Sequence, residues 1–122
     1  MGVKILVVDD AKFSRNLVKK ALNNGGYDDI AEASTAAEAI ESFKTIKPDL
    51  VMLDITLADR NDLSLLEDLL KINPEAKIIM VSALGQDLII ADAMKIGAKD
   101  FVTKPFAEQD LLAVVMSVLF EE

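Results

Sequence analysis

The sequence contains no cysteine, no histidine and no tryptophan. Without cysteine there are no disulfides, thiolate zinc sites or cysteine nucleophiles. Without histidine, Ser-His-Asp hydrolysis, most zinc chemistry and a phosphohistidine carried on this chain all fall away. Aromatic residues make up only 5%, too few for a base-stacking platform. Positive charge is scarce as well: 13 Lys and Arg face 21 Asp and Glu, a net charge of −8. A nucleic acid or anionic membrane surface demands a basic field that this composition lacks. No apolar run approaches the roughly 18 residues of a membrane span. The start of the chain reaches Asp9 and Asp10 before any hydrophobic stretch is long enough for a signal peptide. These absences lead to the expectation of a cytoplasmic protein that binds no nucleic acid and inserts in no membrane.

What is present suffices for one domain spanning 1–122. The 122 residues are 52% hydrophobic, and a chain of this size hides roughly two-thirds of its unfolded surface, so no metal or disulfide staple is needed. Short apolar runs alternate with helical patterns. Ile5-Leu6-Val7-Val8 is a continuous run that suits a strand buried on both faces. Phe13, Leu17, Val18, Ala21 and Leu22 then recur at helical spacing, ended by Gly25-Gly26. Asp29 to Ala33 is a second strand. Thr35-Ala36-Ala37-Glu38 is a capping box, opening a helix that buries Ala39, Ile40 and Phe43 and stops before Pro48. Leu50 to Leu53 is a third strand, followed by a helix with Leu65, Leu66, Leu69 and Leu70 on one face, closed by Asn73-Pro74. Lys77 to Val81 is the fourth strand, Leu88 to Ile96 a helix capped by Gly97, and Asp100 to Thr103 the fifth strand. Leu111, Leu112, Val115, Val118 and Leu119 face inward from a last helix. Five β-α units with short connections predict an α/β fold: a single five-stranded parallel sheet, doubly wound, in flavodoxin-like (βα)5 order.

The residue that ends each strand carries the functional information, because ligands of doubly wound sheets bind at the carboxyl ends of the strands. Asp9-Asp10 ends the first strand, Asp54 the third, Ser82 the fourth and Lys104 the fifth. Each alone has an ordinary reading: Asp10 or Ser82 as a helix cap, Asp54 as a turn residue, Lys104 as a solvated cation. Together they place three carboxylates, a hydroxyl and an ammonium at one edge. Two carboxylates about 5 Å apart repel by about 3 kcal/mol at an effective dielectric of about 20, so three call for a counter-charge. Oxygen-only ligands suit a hard cation, and Mg²⁺ typically takes one or two carboxylates together with phosphate oxygens. A carboxylate can itself attack phosphorus and form an aspartyl phosphate.

These residues resemble the signature of bacterial response-regulator receiver domains. The stretches Val81-Ser82-Ala83-Leu84-Gly85-Gln86 and Gly97-Ala98-Lys99-Asp100-Phe101-Val102-Thr103-Lys104-Pro105-Phe106 are especially similar, notably to stand-alone chemotaxis (CheY-like) regulators with Thr two residues after the acceptor, here Thr56. The resemblance implies Asp54 as phosphoacceptor. It implies Mg²⁺ held by Asp10, Asp54 and the backbone carbonyl of Thr56, with Asp9 acting largely through metal-bound water. It implies Lys104 on the phosphoryl oxygens, Ser82 swinging toward them, and Phe101 following as the switch aromatic. Thr56 and Leu84 would tune autodephosphorylation. Implied partners are a sensor histidine kinase as donor, an output protein such as a flagellar motor switch or another effector, and a phosphatase. The face built from the fourth helix, fifth strand and last helix would report the state, and with nothing after Glu122 the output would be a protein contact.

Two positions depart from the family pattern. Ala58 stands where Pro is usual and Asp62 where Gly is usual, which predicts a differently shaped loop over 57–62. Other readings meet obstacles. A haloacid dehalogenase-like phosphatase needs a second Asp where Thr56 stands. A flavin-binding module wants a Ser/Thr/Gly-rich phosphate loop where Asp9-Asp10 stands. A phosphorelay intermediate, passing its phosphoryl group to a second His protein, uses the same residues and stays open. In every signalling reading the chain is no enzyme beyond its own phosphorylation and dephosphorylation.

Overall fold

The computed structural model describes residues 2–55 and 63–120. Five strands, β1 (Lys4–Val8), β2 (Asp29–Ala33), β3 (Leu50–Asp54), β4 (Ile78–Ser82) and β5 (Asp100–Thr103), alternate with five helices, α1 (Lys12–Asn24), α2 (Ala36–Ile46), α3 (Ser64–Ile72), α4 (Asp87–Ile96) and α5 (Glu108–Leu119). The strands form one parallel sheet in the order β2-β1-β3-β4-β5, the doubly wound arrangement anticipated above. The chain leaves β1 toward one edge and returns on its other side, so the switch point lies between β1 and β3.

Strand alternation sorts the core into two layers. Leu6, Val8, Val51, Leu53, Ile78 and Met80 face α2, α3 and α4, packing on Phe43, Leu66, Leu69 and Ala93 among others. Ile5, Val7, Leu50, Met52, Ile79 and Val81 face α1 and α5, packing on Val18, Leu22, Leu111 and Val115. The central strands β3 and β4 are buried throughout, which explains their unbroken apolar sequence. Edge strands β2 and β5 are only partly buried.

Local signals act where they were read, with informative differences. Thr35 caps α2, its hydroxyl accepting from the Glu38 amide at 3.1 Å. The Glu38 carboxylate reaches back one residue further, to the amide and hydroxyl of Ser34. Gly97 ends α4 at φ 140°, a backbone conformation closed to most L-residues. In α1 only Val18, Ala21 and Leu22 of the periodic residues are buried; Phe13 is 76% exposed and Leu17 is exposed too. With Pro105 and Phe106 they line a groove of about 450 Å³ that reaches Lys104. Helical periodicity identifies a side of the helix; it does not say whether a neighbour lies opposite every turn. In α3 and α5, Leu70, Leu112 and Leu119 are partly buried at the margins of the same two cores. No helix among the described residues is long and apolar enough to cross a membrane.

Candidate functional site

Asp9 follows β1 directly and Asp54 ends β3, so the two carboxylates flank the switch point. Alternation continues the α1/α5 side of the sheet through Ile5, Val7 and Asp9, through Leu50, Met52 and Asp54, and through Val102 and Lys104. The three charged residues thus lean over the same layer from three different strands. Oxygens of Asp9, Asp10 and Asp54 lie within 4.8 Å of one another. Lys104 Nζ donates to Asp54 Oδ2 at 3.0 Å and to Asp9 Oδ2 at 3.2 Å. Asp9 and Asp54 are 3% and 6% exposed, whereas Asp10 is exposed.

Electrostatics follows this geometry. Burial alone would raise the proton affinity of Asp9. The Ser14 hydroxyl, the Ala11 amide and the Lys104 charge outweigh it and hold the carboxyl below its ordinary 3.8. Burial works against the Lys104 ammonium, yet its bonds and charge contacts with Asp54 and Asp9 raise its pKa above 10.5. Asp9 and Lys104 are therefore both charged near neutrality. The N-cap position of α1 falls on Ala11, which makes no side-chain bond, and Ser82 lies well before α4, whose N-cap is Gln86.

Ser82 occupies the strand next to Asp54, one residue beyond Asp54's register partner Val81. It is buried, and its hydroxyl lies 3.5 Å from both the Val102 carbonyl and the Thr103 hydroxyl. Met80 pairs with Phe101 and Ser82 with Thr103, so Ser82 and Phe101 share the α4 side of the sheet. Phe101 is 38% exposed. Leu84 is exposed in the loop before α4. Thr56, Ala58 and Asp62, with the loop 57–62, lie outside the described residues.

Residues that the sequence did not single out also bear on this site. Arg15 Nη1 donates to the Asp9 carbonyl at 2.7 Å, and its Nε donates to Glu32 Oε1 at 2.9 Å. Lys19 Nζ takes the other Glu32 oxygen at 2.7 Å. An Arg five residues after Asp10 was the available signal, but its partner Glu32 enters only through the pairing of β1 with β2.

The arrangement has known counterparts. Residues 5–116 match the family described as the response regulator receiver domain. The chain belongs to the receiver domain family. This receiver domain is 44% identical over 106 residues to the chemotaxis protein CheY of Thermotoga maritima, covering 87% of this chain and 88% of that one. It is 40% identical over 119 residues to CheY of Bacillus subtilis, covering 98% and 99%. A solved structure of the CheX-CheY-BeF3-Mg+2 complex from Borrelia burgdorferi superposes with a TM-score of 0.90 at 30% identity, over 98% of this chain and 90% of that one. The resemblance drawn from the sequence thus holds at the level of family and fold: this is a CheY-like receiver domain of a two-component response regulator.

Proposed function

We propose that the whole chain, 1–122, is one phosphorylation-driven signalling module in which Asp54 accepts a phosphoryl group from a sensor histidine kinase. The observation that carries this reading is the Lys104 ammonium set between Asp9 and Asp54 beside a third carboxylate. The donor set consists of oxygens alone, clustered tightly enough to share one ion, and that fits Mg²⁺. Asp9, Asp10 and Asp54 would hold it, joined by the Thr56 carbonyl that the family resemblance supplies. When bound, Mg²⁺ contributes positive charge toward the phosphoryl oxygens.

The chain's own groups do the rest. An Asp54 oxygen bonds to phosphorus as the donor's P–N bond breaks, the imidazole nitrogen keeping the electron pair. Lys104, already fixed beside Asp54, pairs with the phosphoryl oxygens, and the Ser82 hydroxyl turns from β5 to a third. Water later attacks phosphorus, releases inorganic phosphate and restores the carboxylate; Thr56 and Leu84, at the positions to which the family resemblance gives this role, would tune its rate. Asp54 is thus both site and substrate, and no separate substrate is turned over.

The readout follows from topology. β5 is an edge strand with α4 on one side and α5 on the other. Leu88 on α4, Phe101 on β5 and Met116 on α5 are exposed apolar residues. Movement of Ser82 toward the phosphoryl group vacates space on the side it shares with Phe101, and that local change biases the face offered to a partner. The likeness to two proteins named chemotaxis protein CheY supports a chemotaxis role, with a flagellar motor switch or another effector as output, in the cytoplasm. The Borrelia complex, which holds CheX, beryllium fluoride and magnesium together, supports an Mg²⁺-dependent phosphoryl state and a further protein partner. Incubation with acetyl phosphate and Mg²⁺ should give a phosphoryl adduct by intact mass spectrometry on wild type and none on Asp54→Asn. A wild-type protein that gains no adduct ends this reading.

A further inference from the structure

We infer that Arg15, held by Glu32, is a positioning residue that presets the peptide between Asp9 and Asp10 for metal binding; this rests on the Mg²⁺ site proposed above. The Asp9 carbonyl belongs to the planar unit that joins the two acidic residues. A grip on that oxygen fixes the plane, and with it the direction in which Asp10 leaves the chain. The other groups of Asp9 are already committed. Its amide donates to the Ala33 carbonyl at 3.1 Å, and its Oδ1 accepts from the Ala11 amide at 2.9 Å. Asp10 is exposed, so burial does not aim it. The Arg15 bond at 2.7 Å holds the peptide from which Asp10 departs.

Glu32 explains why the device uses arginine. A guanidinium donates through two directions at once in a fixed fork. One reaches the Asp9 carbonyl and the other Glu32 on β2, so the loop is tied to the sheet. The side chain is only 14% exposed. Its charge is matched by Glu32, whose second oxygen is held by Lys19. Arg15 thus lends geometry to the site without adding unpaired positive charge beside a cation. Groups that orient metal ligands in this way typically alter affinity by about 10–100-fold when removed, whereas a partly exposed ion pair adds little to global stability.

The test is calorimetric titration of the intact chain with MgCl₂, without any phosphodonor, alongside melting in EDTA. Arg15→Gln should weaken Mg²⁺ binding by about ten-fold while its metal-free melting temperature stays within a few degrees of wild type. Arg15→Lys keeps the charge but cannot fork, and should stay clearly weaker than wild type. Glu32→Gln should weaken binding too, and the double variant should be no worse than Arg15→Gln alone, the mark of two residues acting through one contact. Unchanged affinity in Arg15→Gln, or full affinity in Arg15→Lys, overturns the inference while leaving the proposed site intact. A wild-type protein that binds no Mg²⁺ overturns the site itself, and the inference with it.

Discussion

Asp9 is the residue on which most constraints converge. It is buried, bonded to Lys104, and joined to the backbone of its own loop. Its carboxyl is held below 3.8, so the folded state binds that proton less readily than the unfolded chain does. The stability it contributes is therefore complete above about pH 4 and is lost as pH falls through the lower folded value. Lys104 works in the opposite sense. With its pKa raised above 10.5, its contribution is complete below that pH and is lost as pH climbs beyond it. In EDTA, urea midpoints measured against pH should be flat across neutrality as far as these two groups matter, and should fall on the acid side. Glu32 and Glu38 share the acid limb. Glu32 is held low by bonds from Lys19 and Arg15, and Glu38 chiefly by the Ser34 amide. The diagnostic quantity is the difference between proteins: Asp9→Asn should show a shallower acid limb. An identical slope in the two would remove Asp9 as a source of acid sensitivity.

At the scale of elements, each helix and strand is set by a short-range cause that can be challenged singly. Gly97 ends α4 at φ 140°, and a Cβ built there would also meet Leu70 Cδ1 at 3.0 Å. Gly97→Ala combines backbone strain with that contact. It should cost about 1–3 kcal/mol, seen as a lower melting temperature with an unchanged far-UV spectrum; an unaltered melting temperature would contradict the cap's role. The strands, apolar runs bounded by polar residues, were legible because a buried parallel strand has to be apolar on both faces. The helices were legible from spacing and caps. Phe13 and Leu17 mark where this reasoning stops. Phe13 and Leu17 stand eight and four residues before the buried Ala21, in one row along α1, yet a groove lies beside them in place of a packed neighbour.

For the molecule as a whole, the decisive feature is an imbalance of charge at one end of the sheet. Among the described residues, three carboxylates gather there, and the Lys104 ammonium is bonded to two of them. Repulsion of this kind weakens the metal-free protein, and a bound cation relieves it. Mg²⁺ should therefore raise the melting temperature, by the equivalent of about 2.7 kcal/mol at a concentration one hundred times Kd. Asp10→Asn should melt above wild type in EDTA and gain less from Mg²⁺. A metal-free Asp10→Asn protein less stable than wild type would show that packing, and not repulsion, governs the loop.

The sequence by itself determined the alternation of strands and helices, the parallel sheet, and the identity of the polar residues at the strand ends. Each of these depends on neighbours within a few positions, through a period of two or of 3.6 and a cap or turn. Only the tertiary structure decided that Lys104 bridges Asp9 and Asp54, that Asp9 is buried while Asp10 is exposed, and that Arg15 ties their shared peptide to Glu32. The physical reason is register. Val7 pairs with Glu32 and Asp54 with Val81 because separate strands lock side by side, and no periodicity along one segment encodes its alignment with another.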